Sequence, residues 1–221
     1  VFELSPQDWT AIALSLRVAV VSTLIALPFG IAIATVLARA SFWGKSALDA
    51  LVHLPLVLPP VVTGYLLLIT FGRKAPVGAF LADHFGIVFS FRWTGAALAC
   101  AVMGFPLMVR SIRISLDTVD RRLEEAARTL GAGPLDRFVS VTLPLMRNGF
   151  IVAWVLMFLQ TMKELPATLL LRPVGFDTLA IRVWMEASEE YYQLAAPSAL
   201  LIVLLGLPTL LLLLSKDWRA A

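Results

Sequence analysis

Few residues in this 221-residue chain could carry out covalent chemistry. It has one cysteine, Cys100, and two histidines, His53 and His84, too few for an internal disulfide or a Cys/His metal cluster. Asp83 and His84 are adjacent, yet no third member of a catalytic set stands out. Gly44-Lys45-Ser46 resembles the end of a phosphate-binding loop, but that loop needs a glycine five positions before Gly44, where this chain has Arg39. No catalytic residue, metal ligand or cofactor is therefore expected, and any nucleotide chemistry belongs to another polypeptide. The basic excess of +3 sits at the edges of apolar runs and does not point to nucleic acid.

Two other groups of residues are candidates for function. The first is the charged segment 117–147, divided by Gly131-Ala132-Gly133-Pro134. Before the break, Leu123, Ala126, Ala127 and Leu130 recur at helical spacing, with Arg121, Arg122, Glu124, Glu125 and Arg128 facing elsewhere. Asp117 or Asp120 can cap the start, and Gly131 can end the helix in a left-handed turn. Pro134 suits the first turn of a second short helix, Phe138, Val141 and Leu145 give that helix an apolar face, and Pro144 bends or stops it. The product is a helical elbow, either a knob for a socket on another protein or a hairpin lying on lipid. Periodicity leaves both open.

The second group lies in apolar surroundings. Leu54-Pro55-Leu56-Val57-Leu58-Pro59-Pro60 breaks what is otherwise a membrane-length run, followed by Thr63, Gly64 and Tyr65. Broken backbone at membrane depth is tolerated only against protein or a water-filled cavity, so Pro59, Pro60 and Thr63 line either a pathway or a packing kink. Lys163 and Glu164 are adjacent and point about 100° apart on a helix, so they cannot pair with each other. Glu164 either shapes an outer gate or, with Lys163, reaches the outer interface.

The elements that must hold these groups are apolar. Hydrophobic residues make up 59% of the chain, charged residues 15%, and mean hydropathy is +0.86. Uncharged runs at Val18–Ala38, Leu54–Gly72, Trp93–Val109, Asn148–Met162 and Leu194–Ser215 predict five spans, near 11–39, 51–72, 93–113, 148–171 and 194–215. The fourth reaches position 171 only with Lys163 and Glu164 inside it. The first run is too long for a signal peptide, and the start at Val1 suggests a short missing N-terminal piece. Eleven basic residues fall on the side of the 117–147 loop and six on the other. The N-terminus is therefore expected outside and the C-terminus in the cytoplasm. Trp43, Trp93, Trp218, Tyr191 and Tyr192 sit near run ends, as interfacial aromatics do. The expectation is an all-α integral membrane protein, a single domain over residues 1–221.

Glu125-Ala126-Ala127, Gly131 and Val141-Thr142-Leu143-Pro144 resemble, in type and spacing, the EAA signature of permease subunits of binding-protein-dependent ABC importers, with Val141 where isoleucine is usual. The resemblance implies a type I importer permease fold. It also implies that the 117–147 loop forms coupling helices seated in a groove of a separate ATPase, with Glu125, Ala126, Ala127, Gly131, Leu143 and Pro144 at the contact. An extracytoplasmic substrate-binding protein is a further implied partner. Five spans are too few to enclose a path alone, so a second copy of the chain about a two-fold axis is expected. A bacterial inner membrane is the implied location.

Residues from about 9 to 147 resemble molybdate permeases, on His53-Leu54-Pro55-Leu56-Val57-Leu58-Pro59-Pro60-Val61-Val62-Thr63-Gly64-Tyr65, Phe105-Pro106-Leu107-Met108-Val109-Arg110 and Ala126-Ala127-Arg128-Thr129-Leu130-Gly131-Ala132. From about Phe150, Lys163-Glu164-Leu165-Pro166-Ala167-Thr168 and Gly175-Phe176-Asp177-Thr178-Leu179-Ala180 look like ferric-iron-type permeases. The longer stretch implies molybdate or tungstate, and iron(III) is the alternative. No internal repeat of the kind common in secondary transporters is visible.

Overall fold

Long apolar stretches without competing polar side chains satisfy their backbone internally, and in lipid that means helix. The computed structural model describes residues 5–217, with side chains through Leu211. Within them every regular element is helical. Trp218 and Arg219, read above as interfacial and basic markers, lie outside the described residues.

Helix α1 spans Pro6–Arg39, longer than the run that announced it. Ser5 and Asp8 close a reciprocal capping box at its start, so polar residues before Ala11 join the helix. Its buried stripe (Ala11, Ser15, Val18, Ala19, Ser22, Ala26, Gly30, Ala34, Leu37) is built largely of small residues. It lies along α5, Trp93–Thr118, whose own buried face carries Gly95, Ala96, Ala97, Ala99, Cys100 and Gly104. Small side chains let two backbones approach closely where lipid offers no hydrophobic drive.

The second expected span is not one helix. α2, Lys45–Val57, and α3, Pro60–Phe71, meet at 115°. Leu58 precedes Pro59 and Pro59 precedes Pro60, and a residue before proline is pushed out of the helical region. Both are extended, with ψ of 143° and 135°. A short helix, α4 (Pro76–Phe85), follows before α5.

After α5 come α6, Arg121–Thr129, and α7, Pro134–Leu145. Next is α8, Arg147–Lys163, set at 72° to α7. The fourth expected span also needs correction. α8 has 17 residues and stops at Lys163. Glu164 and Leu165 are non-helical, and α9, Pro166–Leu171, resumes the path. Proline disfavours helix at the residue before it and brings no N–H of its own, so the break falls where Pro166 dictates. α10, Leu179–Ser188, and α11, Tyr192–Asp217, complete the bundle. Among the described residues three helices are individually long and apolar enough to cross a membrane, α1, α5 and α11, and up to five crossings result if each bent pair counts as one.

The bundle packs as α1 on α5 and α5 on α8, with α11 against α8 and α10, and α9 wedged between α3 and α5. The α3–α9 contact depends on Gly64, where an added Cβ would stand 2.7 Å from the Ala167 Cα. That neighbour is backbone and cannot swing away. Gly64→Ala should therefore destabilise the protein by about 1–3 kcal/mol through overpacking, read as a lower unfolding midpoint in detergent.

Candidate functional site

The elbow is built by local signals. Asp120, not Asp117, caps α6, its Oδ1 accepting from the Arg122 N–H at 2.9 Å. At the far end the Ala132 N–H reaches back to the Ala127 carbonyl at 3.0 Å, and Gly131 holds φ at +88°. A Cβ there would crowd the following carbonyl, so glycine makes this turn cheap. Pro134 then opens α7. Pro144 has no N–H to give the carbonyl four residues back. The helix widens ahead of it into a five-residue π turn, Phe138–Thr142, in which the Leu143 N–H bonds the Phe138 carbonyl.

Several apolar side chains of the elbow lie open. Leu130 is 88% exposed, and Leu123, Leu135, Val139 and Leu145 are exposed too. Glu125, Ala126, Gly131 and Pro144 are exposed as well, and Ala127 and Leu143 are half-buried. Leucines left uncovered on an otherwise charged elbow form a surface suited to apolar contact with a partner.

Glu124 stands apart from the other charges that the helical spacing grouped with it, Arg121, Arg122, Glu125 and Arg128, which are exposed. It turns inward. Its Oε1 accepts from Arg39 Nη2 at 3.0 Å and from the Thr142 hydroxyl at 3.0 Å. Arg121 adds a bond to the Ala38 carbonyl at 3.4 Å. One carboxylate oxygen thus joins α1, α6 and α7 beside a cavity of about 180 Å³ lined by Thr35, Arg137 and Phe138 among others. Sequence reasoning took Arg39 as the edge of a span. No periodicity announces a pair separated by 85 positions.

The gate candidates divide. Lys163 is exposed and Glu164 is 4% exposed, so Glu164 is buried and does not reach an interface. Its Oε1 accepts the Ala167 N–H at 3.2 Å, a donor at the start of α9 that has no carbonyl within its own helix. Thr63 is buried next to Gly64, on the turn of α3 that meets α9, and its hydroxyl has no partner. Pro59 and Pro60 stay exposed at the α2–α3 bend. Thr63 and the Glu164 break are thus brought to one neighbourhood, while the two prolines only create the bend. Cys100 is buried, its Sγ 3.5 Å from the Thr168 hydroxyl.

At the other end of the bundle Asp8 pairs with Arg182 at 3.2 Å, Arg182 pairs with Glu186 at 2.8 Å, and the Leu179 N–H donates to the Ser15 hydroxyl at 2.9 Å. Arg172 pairs with Asp177 in the loop before α10. Of these, Asp177, Arg182 and Glu186 line a cavity of about 320 Å³ together with Gln7, Thr10 and Leu14. None of them was among the site residues expected from sequence.

Residues 26–218 match the family described as binding-protein-dependent transport system inner membrane component. The chain belongs to this family. It is accordingly a transport subunit, not an enzyme, and a multi-pass component of the inner membrane that works with other ABC-transporter subunits. The molybdenum transport system permease protein ModB of Escherichia coli (strain K12) is 54% identical over 166 residues, 75% of this chain and 72% of that one. The ModB protein of Mycobacterium tuberculosis is 34% identical over 209 residues, 93% of this chain and 79% of that one. In fold the chain is similar to a bacterial ABC transporter involved in import of the acidic polysaccharide alginate, with a TM-score of 0.73 at 17% identity, covering 98% of this chain and 80% of that one.

The burial of Glu164 yields a test. Gln in its place keeps an oxygen for the Ala167 N–H, whereas Leu leaves that buried donor without a partner. Glu164→Leu should destabilise this permease by about 1–3 kcal/mol more than Glu164→Gln, measured as the gap between their unfolding midpoints in detergent.

Proposed function

We propose that this chain is the membrane-spanning permease of an ATP-driven importer for molybdate, with tungstate as the close chemical analogue, working by alternating access coupled to a separate ATPase. The observation that carries the substrate is the extent of the likeness. A molybdenum permease aligned over 93% of the chain must run through most of the region after Phe150, where local strings alone had suggested iron. The ferric-iron reading is therefore not needed for the tail.

The exposed surface of the elbow is the ATPase-docking face, with Glu125, Ala126, Ala127, Gly131, Leu143 and Pro144 at the contact. The excess of Arg and Lys at that end supports a cytoplasmic elbow and C-terminus and an outer N-terminus. An extracytoplasmic binding protein delivers the ion to the outer end. A second copy of the chain completes the path, since one bundle carries one elbow and too few spans to surround an ion. Thr63 and Glu164, at the α3–α9 junction, are the gate candidates that this reading retains. Pro59 and Pro60 contribute the bend that presents α3.

Two experiments test this reading. Proteoliposomes holding the permease and its ATPase, supplied with each cognate binding protein, should take up labelled molybdate in an ATP-dependent manner and exclude ferric ion. Uptake of iron without molybdate would overturn the substrate. For the docking face, Gly131→Val must hold a β-branched residue in the left-handed region, at a cost of at least about 1–2 kcal/mol. It should sharply reduce the ATPase that co-purifies, while Gly131→Asn, which tolerates that region better, should retain most of it.

A further inference from the structure

The elbow's covalent neighbours are α5, which runs into it, and α8, which leaves it. Helix α1 has no such connection. It meets the elbow through side chains, and these converge on one atom, Glu124 Oε1, which accepts from Arg39 near the end of α1 and from Thr142 in α7 at 3.0 Å each. Arg121 of α6 reinforces the joint through the Ala38 carbonyl. The opposite end of α1 is tied by polar contacts of similar kind, Asp8 to Arg182 at 3.2 Å and Ser15 to the Leu179 N–H at 2.9 Å. Between the two joints α1 is one helix of 34 residues, about 50 Å long at 1.5 Å per residue, buried lengthwise against α5.

From this geometry we infer that α1 is a strut carrying displacement of the ATPase-docking elbow to the outer mouth, and that Glu124 is the positioning residue that engages it. The inference rests on the docking reading of residues 117–147. Glu125 and Glu124 are neighbours in sequence with opposite duties. Glu125 is exposed on the docking face, and Glu124 points back to the bundle. A close-packed helix with fixed polar contacts at both ends moves as a body. A shift of the elbow at the inner end is therefore delivered to Asp8, Ser15 and the α10 segment that they hold. Arg182, which Asp8 holds, lines the outer cavity together with Glu186, on the side where a binding protein arrives. The relation runs both ways, so a loaded binding protein pressing on the outer mouth also acts on the elbow.

The test uses the full assembly of permease, ATPase and binding protein in proteoliposomes, with molybdate as the probe. Glu124→Gln should co-purify with the ATPase in normal amount and keep basal ATP hydrolysis. Stimulation of hydrolysis by the loaded binding protein should fall several-fold, as should molybdate taken up per ATP. Thr142→Val should shift the same two readouts in the same direction by less. Asp8→Asn, at the opposite end of α1 from the elbow, should reproduce the uncoupling. The exchange Arg39→Glu with Glu124→Arg should restore stimulation relative to either single change. Normal stimulation and uptake in Glu124→Gln would overturn the inference. Loss of the co-purifying ATPase from that variant would too, since Glu124 would then be a docking residue itself. Full coupling in Asp8→Asn would refute the strut. Failure of the docking reading shows separately, as unchanged ATPase binding in Gly131→Val.

Discussion

The packing of α5 is the constraint from which the other contacts follow. It is sandwiched by α1 on one side and α8 on the other, with α9 on a third, and it faces them with glycine, alanine and a cysteine over its first half and with Met108, Val109, Ile112 and Leu116 over its second. A Cβ at Gly104 would stand 2.2 Å from the Met157 sulfur of α8, so that pair is already in full contact. Apolar side chains gain nothing by leaving lipid for protein. The association must come from close dispersion contact and from backbone approach, which small residues permit. Because α5 is gripped on three sides, the elements that hang from its end inherit a defined position. Chief among these is the elbow of α6 and α7.

Against this rigid centre the chain places its irregular backbone deliberately. The α2–α3 bend and the α8–α9 break both fall at proline, and both lie on the side where α3 and α9 meet. Each break frees donors and acceptors that lipid cannot satisfy. The carboxylate of Glu164 meets one of them, the Ala167 N–H, which explains why an acidic residue is buried in so apolar a setting. Breaks of this sort leave short helical pieces that can shift relative to the long helices, and alternating access needs such pieces next to a fixed core.

The polar joints follow a different rule. At both ends of the bundle, charges are paired across elements: Arg39 with Glu124, Arg113 with Asp49, Asp8 with Arg182. Each joins segments far apart in sequence. Their importance lies in which helices they bind together.

Much of this protein was legible in its residues. Apolar runs bounded by charge located the long helices, because lipid leaves no alternative to helix over such stretches. Asp120, Gly131 and Pro134 specified the elbow, because capping and turn chemistry act over three or four residues. The spacing of Glu125, Ala126, Ala127 and Gly131 pointed to the family before any coordinate did. What escaped the sequence was everything that depends on where a side chain points once distant segments meet. Glu124 and Glu125 are chemically identical neighbours, and only the packing of α6 against α1 and α7 turns one inward and leaves the other exposed. The broken second and fourth spans carried their prolines openly, yet the 115° bend and the pairing of α3 with α9 required the third dimension. Local chemistry determined the long helices and the turns of the elbow. The tertiary structure alone decided which charges meet, because an ion pair across 85 positions leaves no trace in a linear pattern.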